Sequence, residues 1–387
     1  MDDGVKMNIA IVNECKTFGG AEVYVKNLKR ILVENGHHVI CMYLNANEPM
    51  DEDEYNLYFN TSMLSKYKYS ICKVKKIRVV LEKHKIGLVI INNVFSEPLT
   101  LYKALYKYKT IQVMHDYSFV CPKSTCIKDD ERVCDGYMNE KCMYSCSYHK
   151  SKLFLFLKLL LLNVLDVYRK RKCKFVAPSV RLTQYAMTNG YDVETLENPV
   201  ILNVKLSKKK IRSGKYIYIG GLNKNKGLYD MLPAFDRFAV NRDLSLHIYG
   251  AFSSSEDEVY LKKFTSEKII YHGYISHDEI ENVFSEAYAL LVPSFWMENY
   301  PTTVLEGFAN RVLVIGSDRG GIPEMLADGR GICFEYGQNG LIKSLEYAES
   351  LSDKEYVKIT DEGMKYLKER NEFNVYFKKL MSIIKKD

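Results

Sequence analysis

The chain has 387 residues, of which 47% are hydrophobic and 27% charged, and its formal net charge is +7. These values are typical of a globular protein with enough core for two domains. The mild positive charge favours phosphate or anionic lipid as partners, but it is far below that of a nucleic-acid-binding protein. Ten cysteines without a visible secretory signal indicate a reducing, cytoplasmic location.

Strands and helices alternate along the first half of the chain. Short apolar runs predict strands at 8–12, 39–43, 88–91, 110–114 and 174–177. Longer periodic segments predict helices at about 21–34, 73–84, 97–108 and 178–189. This order indicates βαβ units and therefore a parallel sheet.

Polar residues follow several of these strands. Gly19 and Gly20 lie in the turn after the first strand, where glycine lets the backbone approach a ligand closely. Asn92 follows the strand at 88–91, and His115 and Asp116 follow the strand at 110–114. Ligands bind at this edge of open α/β sheets. A lone histidine is more often structural, but this position favours a role in orienting a ligand or moving a proton.

A cysteine-rich insert occupies about residues 117–150. Its thiols are Cys121, Cys126, Cys134, Cys142 and Cys146. The spacings within the first and last pairs fall in the range of zinc half-sites, so one hypothesis is a four-thiolate zinc site that holds an insert lacking its own core. The other is a set of reduced thiols in an irregular loop. The spacing does not decide between them, and no metal is firmly predicted.

Residues 151–172 form the most apolar segment, and this segment ends in four basic residues at 169–172. It is shorter and more interrupted than the roughly 18 to 20 apolar residues that span a bilayer. It could lie in the membrane interface with its basic end on anionic headgroups. A helix buried in the outer layer of the sheet is an equal alternative.

The second half begins with a strand at 216–219, then Gly220 and Gly221, then Lys226 before a helix from 228. A glycine turn with a lysine near a helix start suits a pyrophosphate group. Further strands are predicted at 246–249, 269–271, 289–292, 312–315 and 329–334, and the end of the chain is predicted to be helical from about 354 to 386.

The strand at 289–292 leads into a block at 293–307 with the sequence PSFWMENYPTTVLEG. Pro301 is expected in the first helical turn. The free amides of Thr302, Thr303 and Val304 would then form an anion site. Glu298 and Glu306 flank this site, and since carboxylates repel phosphate, they should bind hydroxyl groups. A phosphate site beside hydroxyl acceptors describes a nucleotide sugar.

This block, together with the Gly320-Gly321-Ile322-Pro323-Glu324 segment, resembles the paired-glutamate motif of the GT-B retaining glycosyltransferases of family 4. The resemblance is strong from 216 to 334 and looser before that. It implies an α/β fold of two doubly wound, Rossmann-like domains that face each other across a cleft. We therefore expect an acceptor-binding domain at 1–203, with its insert at 117–150, and a nucleotide-sugar-binding domain at 204–370. The resemblance also implies that a last helix in 371–387 crosses back to the first domain.

The resemblance also implies roles for single residues. His115, Glu298 and Lys226 would be catalytic, with Lys226 at the position of the family's lysine that pairs with the donor diphosphate. Gly221 occupies the position of the family's arginine, so Lys224 or another basic residue would have to supply the second positive charge. Glu298 would hold the donor sugar, and Glu306 the ribose hydroxyls.

The implied ligand-binding residues fall into two sets. The donor set is Gly220, Gly221, Lys226, His272, Gly273, Tyr274, Glu298, Asn299, Tyr300, Pro301, Thr302, Thr303, Val304 and Glu306. The acceptor set is Gly19, Gly20, Asn92, His115 and Asp116.

The implied activity is transfer of a sugar from a nucleotide-diphosphate sugar, with retention, to a glycan or lipid-linked acceptor of a surface polysaccharide such as capsule, exopolysaccharide or O-antigen. The resemblance implies a metal-independent enzyme that requires no cofactor, and the single Asp-x-Asp spacing here, at 51–53, lies in a polar loop. The location would be cytoplasmic, with peripheral contact at the inner face of the membrane left open, and no nucleic acid is expected. The alternatives are a GT-B epimerase or phosphorylase and a non-catalytic binding module, the last motivated by the missing arginine.

Overall fold

The computed structural model describes residues 6–16, 20–59, 68–136, 142, 146, 152–200, 213–275 and 277–386. Gly19, most of the predicted linker at 201–214 and parts of the cysteine-rich insert lie outside these ranges. The chain divides into two compact units, one formed by 1–199 with 373–387 and the other by 200–372. The boundaries predicted after residues 203 and 370 differ from these by a few residues.

The first unit is built on a parallel sheet that has seven strands among the described residues. These are β1 (Asn8–Asn13), β2 (His38–Tyr43), β3 (Glu54–Asn56), β4 (Leu88–Ile91), β5 (Lys109–Val113), β6 (Cys173–Ala177) and β7 (Val193–Thr195). Their order across the sheet is β3-β2-β1-β4-β5-β6-β7. The strand β4 is buried along its whole length, as expected for a continuous apolar run covered on both faces.

Helices connect these strands. They are α1 (Gly20–Glu34), α2 (Ile71–Lys83), α3 (Pro98–Leu105), α4 (Lys152–Lys172) and α5 (Val180–Thr188). The starts of α2 and α5 are set by serine side chains, because Ser70 accepts a hydrogen bond from the amide of Lys73 and Ser179 accepts one from the amide of Leu182. Within the described parts of the chain, no helix is both long and apolar enough to cross a membrane.

The second unit contains a parallel sheet with six described strands. These are β8 (Lys215–Ile219), β9 (Ser245–Tyr249), β10 (Ile269–Gly273), β11 (Ala289–Val292), β12 (Leu313–Ser317) and β13 (Ile332–Phe334). Their order is β10-β9-β8-β11-β12-β13. This is the doubly wound order, in which the chain first builds one side of the sheet and then returns to build the other.

The helices of the second unit cover both faces of this sheet. They are α6 (Leu228–Phe238), α7 (Ser255–Lys262), α8 (His277–Glu286), α9 (Thr302–Ala309), α10 (Ile322–Leu326), α11 (Gln338–Ser350) and α12 (Asp353–Arg370). One core cluster includes Leu246 and Ile315, and the other includes Leu290 and Val314. Because side chains alternate along a strand, these clusters lie on opposite faces.

The last helix, α13 (Phe373–Lys385), belongs to the first unit. Its residues Tyr376 and Leu380 join the core cluster that contains Ile9 and Leu28. The hydroxyl group of Tyr376 is hydrogen-bonded to that of Tyr24 on α1. The chain therefore leaves the first unit and returns to it to supply part of its core.

Most predicted elements are present, and the differences have local reasons. The strands β3 and β7 have three residues each, too few to show a pattern. The helical stretch predicted from 354 to 386 is two helices, which Asn371 separates. This residue is fully buried and donates its side-chain amide to Tyr300 at 3.2 Å, so it ends α12 where the periodic pattern alone would continue.

The position of α13 predicts the effect of a core truncation in that helix. Leu380 is 1% exposed, so Leu380→Ala should lower the free energy of unfolding of the first unit by about 2–5 kcal/mol. Ser382→Ala, at an exposed position of the same helix, should change it by less than about 0.5 kcal/mol. Urea unfolding of the two variants checks this, and equal stabilities would show that α13 does not supply core to this unit.

Candidate functional site

Both sheets have a switch point, where the strand order reverses and the connections on the two sides diverge. In the first sheet it lies between β1 and β4, and in the second between β8 and β11. The residues just past these strand ends are Glu14 and Asn92 in the first unit and Gly220 and Pro293 in the second. Crevices at the carboxyl ends of such strands are the usual ligand sites of open α/β sheets.

In the second unit, two loops are fastened together at this edge. The carbonyl oxygen of Asn225 accepts hydrogen bonds from the amides of Phe295 at 2.9 Å and Trp296 at 3.1 Å. Gly227 has φ +82°, and a Cβ atom on it would lie 1.8 Å from the carbonyl oxygen of Pro293. Only glycine fits this close approach, which brings the lysine loop onto the end of β11.

The joined loops place Lys226 on Glu298. The carboxylate oxygen Oε1 of Glu298 accepts hydrogen bonds from Lys226 Nζ at 2.6 Å, from Ser294 Oγ at 2.7 Å and from Trp296 Nε1 at 2.8 Å. The Lys226 ammonium group also lies 5.0 Å from the centre of the Trp296 ring, in a cation–π contact. The sequence suggested separate ligands for the two residues, whereas the structure pairs them directly.

The environment keeps Glu298 ionised. Burial by itself would raise its pKa, because Glu298 is only 8% exposed. The positive charge of Lys226 and the hydrogen bonds from Lys226, Trp296 and Ser294 outweigh this effect and hold the pKa below its usual value. The result is a fixed carboxylate beside an ammonium group that has three N–H donors, so Lys226 can bind a phosphate oxygen without leaving Glu298.

The backbone of Glu298 is held from the other side by two glycines. The amide of Gly321 donates to the Glu298 carbonyl oxygen at 2.7 Å. Gly320 has φ +63°, and a Cβ atom on it would lie 1.8 Å from that same oxygen. The Gly320-Gly321 pair, which belongs to the motif resembling family 4, therefore also fixes the position of the Glu298 backbone.

The start of α9 differs from the prediction. Pro301 is the residue before the helix, not part of its first turn, and its extended ψ of 122° ends the preceding loop. The amide of Val304 is not free, since it donates to the Pro301 carbonyl oxygen at 3.1 Å. The expected anion site is therefore reduced to the amides of Thr302 and Thr303, aided by the helix dipole.

The remaining donor candidates have different surroundings. Glu306 is half-buried on α9. Asn299 is buried, and the Tyr300 side chain lies in the core, where its hydroxyl group contacts that of Tyr366 at 3.0 Å. Gly221 is half-buried, and a Cβ atom on it would make ordinary contact, at 3.5 Å, with Asn223.

His272, Gly273 and Tyr274 lie at the end of β10. The His272 ring stacks on Tyr249 with centroids 4.6 Å apart and on His247 with centroids 5.0 Å apart. Gly273 accepts a hydrogen bond from the amide of Gly250 at 2.8 Å, and Tyr274 is 80% exposed. Ring stacking and a backbone hydrogen bond therefore hold this turn in place at the end of β10.

In the first unit, a chain of amide side chains links β1, β4 and β5. The amide of Asn93 donates to Asn13 Oδ1 at 3.1 Å, which identifies that atom as the oxygen. Asn92 Nδ2 donates to Asn13 Oδ1 at 2.9 Å and to the Ala21 carbonyl oxygen at 3.0 Å. Asn92 Oδ1 therefore faces His115 Nε2, to which it is hydrogen-bonded.

This network fixes the protonation state of His115. Because Asn92 Oδ1 can only accept, Nε2 of His115 carries the proton and Nδ1 carries the lone pair. Burial lowers the pKa of His115 to about 4, so the ring is neutral near pH 7. A neutral imidazole with this tautomer accepts a hydrogen bond from a hydroxyl group through Nδ1, and it is a poor proton acceptor.

The other acceptor candidates are less informative. Gly20 is the first residue of α1, and Gly19 lies outside the described residues. Asp116 is exposed, and its side chain accepts a hydrogen bond from the Ser118 amide at 2.8 Å, which caps a short 3-10 turn. Sequence reasoning missed Asn13, although its position at the end of β1 matches that of Asn92 at the end of β4 and could have revealed it.

The five cysteines of the insert are not joined by disulfide bonds. Cys121, Cys126, Cys142 and Cys146 are buried, and Cys134 is partly exposed. The side chain of Cys126 and nearby backbone groups lower the pKa of the Cys121 thiol to about 6. Among the described residues, no three sulfur atoms lie within 4.8 Å of one another. The hypothesis of a zinc site in the insert stays a prediction.

The glycine contact at Glu298 predicts a difference between two matched variants. Gly320→Ala should displace the Glu298 loop, weaken any ligand bound there and lower stability by at least about 1–3 kcal/mol. Gly329→Ala is the control, because Gly329 also has positive φ but has open space around its Cβ position. Chemical unfolding and ligand titration would separate them, and equal effects on ligand binding would remove the proposed role of Gly320.

Residues 204–365 match the model of the family described as Glycosyl transferases group 1. The matched range covers most of the second unit, including Lys226, Glu298 and Gly320. The match therefore falls on the part of the chain in which the sequence motifs were most specific.

Two curated relatives come from the cps region of Klebsiella pneumoniae. An uncharacterized 41.2 kDa protein is 24% identical over 189 residues, which are 46% of this chain and 50% of that protein. An uncharacterized 42.6 kDa protein is 23% identical over 350 residues, which are 82% of this chain and 87% of that protein. The first match thus spans only half the length of its relative.

Solved structures match over nearly the whole chain. A glycosyltransferase from Rickettsia africae ESF-5 has a TM-score of 0.74 at 15% identity, covering 99% of this chain and 100% of the other. Anabaena Alr3699/HepE in complex with UDP-glucose has a TM-score of 0.71 at 12% identity, covering 98% and 99%. At these identities the likeness concerns the fold. The chain thus has the GT-B fold, and its second unit matches the group 1 glycosyl transferases.

Proposed function

We propose that the protein is a retaining glycosyltransferase of the family 4 type, which moves a sugar from a nucleotide-diphosphate sugar to an acceptor in surface polysaccharide synthesis. The observation that carries the proposal is the Lys226–Glu298 pair, held by two glycine contacts at the switch point of the second sheet. The match to the group 1 glycosyl transferases and the two relatives from a cps region support it.

The donor would bind along the edge formed by the ends of β8 and β11. Lys226 would donate to a diphosphate oxygen with the N–H groups not used on Glu298, and the amides of Thr302 and Thr303 would add neutral donors. Glu298 would accept hydrogen bonds from sugar hydroxyls through its carboxylate. This assignment follows from charge, since a fixed carboxylate repels phosphate and attracts hydroxyl groups.

The chemical step would break the bond between the anomeric carbon and the donor phosphate oxygen and form a bond from that carbon to the acceptor oxygen. The acceptor proton would pass to the departing phosphate oxygen. Lys226 would stabilise the charge that develops on the leaving diphosphate. His115, neutral and with its lone pair on Nδ1, would accept a hydrogen bond from a sugar hydroxyl and would not serve as the base.

The nucleotide is the first point to test. A panel of nucleoside diphosphates and nucleotide sugars should raise the unfolding temperature, because a ligand at about 100 times its Kd adds about 2.7 kcal/mol of stability. Anabaena HepE has been solved with UDP and with UDP-glucose, so uridine compounds come first. The absence of any shift across the panel would contradict a donor site in the second unit.

Within that panel, Glu306→Ala should weaken nucleotide binding and leave the fold intact, because Glu306 is proposed to bind the ribose hydroxyls. Glu346→Ala, an exposed acidic residue of α11, is the matched control. Unchanged nucleotide affinity in Glu306→Ala would remove the ribose assignment and leave the donor site itself in place.

A non-catalytic binding module is the second candidate, since Gly221 stands where the family has an arginine. Lys224 lies in the same loop and could supply the positive charge of the missing arginine. Its side chain is exposed, and its ammonium group lies 5.8 Å from the centre of the Phe295 ring. Slow hydrolysis of the donor, measured as sugar released from the bound nucleotide sugar, separates the two. A binding module would shift in the thermal panel without releasing sugar.

We also propose that helix α4 contacts an anionic membrane, where a lipid-linked acceptor would be found. One face of the helix is buried through Leu159, Leu162 and Leu165. Among the side chains of this helix that the structure describes, the exposed large apolar ones are Phe156, Leu157, Leu160, Val164 and Val167, each 41–59% exposed. Four of these, at 156, 160, 164 and 167, have the spacing of a single helix face. The helix ends in basic residues, of which Lys170, Arg171 and Lys172 are exposed.

An apolar face next to basic residues is the pattern of an interfacial helix. We expect the protein to co-sediment with vesicles containing phosphatidylglycerol and less with neutral vesicles. The double variant Val164→Glu/Val167→Glu should lose this binding, because it puts two negative charges on the apolar face. Val259→Glu, at a 58% exposed valine of the second unit, is the control. Equal binding by the double variant and the control would refute the membrane contact of α4.

A further inference from the structure

A cluster of metal-ligating side chains lies in the first unit, apart from the residues discussed so far. His38, Asp53 and His84 each present one ligand atom, and these atoms all lie within 4.8 Å of one another. The described residues contain no other such group of three. The three come from separate segments: the first residue of β2, the loop before β3 and the residue that ends α2.

The distances within the cluster suit a small cation. His38 Nε2 lies 3.1 Å from His84 Nδ1, and His84 Nδ1 lies 4.0 Å from Asp53 Oδ1. A tetrahedral zinc ion with bonds of about 2.0–2.1 Å separates its ligand atoms by about 3.3 Å. The two distances lie on either side of this value, and the third, between His38 and Asp53, is within 4.8 Å.

A fourth residue can support the tautomer that a metal would need. The hydroxyl group of Tyr55 lies 2.6 Å from His84 Nε2 and can either donate or accept a hydrogen bond. When a metal takes the lone pair on His84 Nδ1, which faces His38 and Asp53, the Nε2 proton has this oxygen as its acceptor. Metal-binding histidines almost always have such a partner on the second nitrogen. The His84 backbone is held as well, because Asn8 Nδ2 donates to its carbonyl oxygen at 2.8 Å.

We propose that His38, Asp53 and His84 form a binding site for a divalent transition-metal ion, with zinc as the ion that the ligand set fits best. Two imidazoles and one carboxylate are ligands that zinc accepts. The side chains of His84 and Asp53 are 12% and 37% exposed, and His38 is exposed, so a water molecule can take the fourth position.

The location of the site defines its role. His38 begins β2 and Asn8 begins β1, so the cluster lies at the amino ends of the strands, whereas Asn92 and His115 lie at their carboxyl ends. The ion would lie at the opposite end of the strands from the proposed acceptor residues. It would instead link β2, the segment leading into the edge strand β3 and the end of α2. The inference is therefore independent of the proposed function.

The test uses the full-length chain, freed of metal with a chelator, and zinc chloride as the probe. Because the chain has ten cysteines, the readout must report on histidine. Histidine labelled with ¹⁵N gives eight residues to follow, and the resonances of His38 and His84 should move on addition of one equivalent of zinc. Zinc that binds only to thiols would leave these resonances in place and would overturn the proposal.

Variants make the test specific. His38→Asn should weaken zinc binding at this site by more than about 100-fold, since it removes a ligand, and Tyr55→Phe should weaken it by about 10- to 100-fold, since it removes the outer partner. His272→Asn is the matched control. This variant breaks the contact of 2.8 Å between His247 Nδ1 and His272 Nε2. These two histidines also lie close together, but among the described residues no third metal-ligating atom lies within 4.8 Å of both. Equal losses of zinc affinity in His38→Asn and His272→Asn would overturn the assignment. If a variant fails to fold, the histidine resonances of the wild-type protein on addition of zinc decide the question.

Discussion

The contact between the ammonium group of Lys226 and the carboxylate of Glu298 is the interaction on which the arrangement of the second unit depends. A buried carboxylate without partners would cost several kcal/mol, so the structure around Glu298 must supply donors. Lys226, Ser294 and Trp296 do so from two loops that end neighbouring strands. Gly227 and Gly320 allow these loops to approach as closely as the hydrogen bonds require. The contact between Lys226 and Glu298 therefore requires glycine at these two positions.

The two units use the same topology to hold different chemistry. Each sheet reverses its strand order once, and polar groups gather beside that point. In the second unit they are charged, and the pair can meet both a phosphate and a hydroxyl group. In the first unit Asn13, Asn92 and His115 form a chain of hydrogen bonds between neutral side chains, and Asn13 Nδ2 also donates to Glu22 Oε1 at 3.3 Å. Neutral amide and imidazole groups suit sugar hydroxyls, and a charged pair suits a nucleotide diphosphate, in line with the proposed division between acceptor and donor.

The sequence predicted the strands well because most are continuous apolar runs between glycine or polar turns, as at 88–91 and 289–292. It also indicated Lys226 and Glu298 as candidate donor-binding residues. It could not predict that the two would bond to each other, since that contact joins residues 72 positions apart. The prediction that the Val304 amide is free was wrong. Whether that amide is free depends on the backbone angle at Pro301, which the sequence does not reveal. The tautomer of His115 depends on Asn13, which lies on another strand.

The return of α13 to the first unit has a consequence for how the chain folds during synthesis. Tyr376, Leu380 and Ile383 complete a core that otherwise comes from residues before 200. The ribosome makes the second unit between these two contributions. The second unit can therefore fold as soon as its own residues emerge, whereas the first unit has to wait for the end of the chain. A fragment that stops near residue 200 would expose the apolar surface that α13 covers, so the amino-terminal half is expected to aggregate when made alone, although it contains a complete parallel sheet.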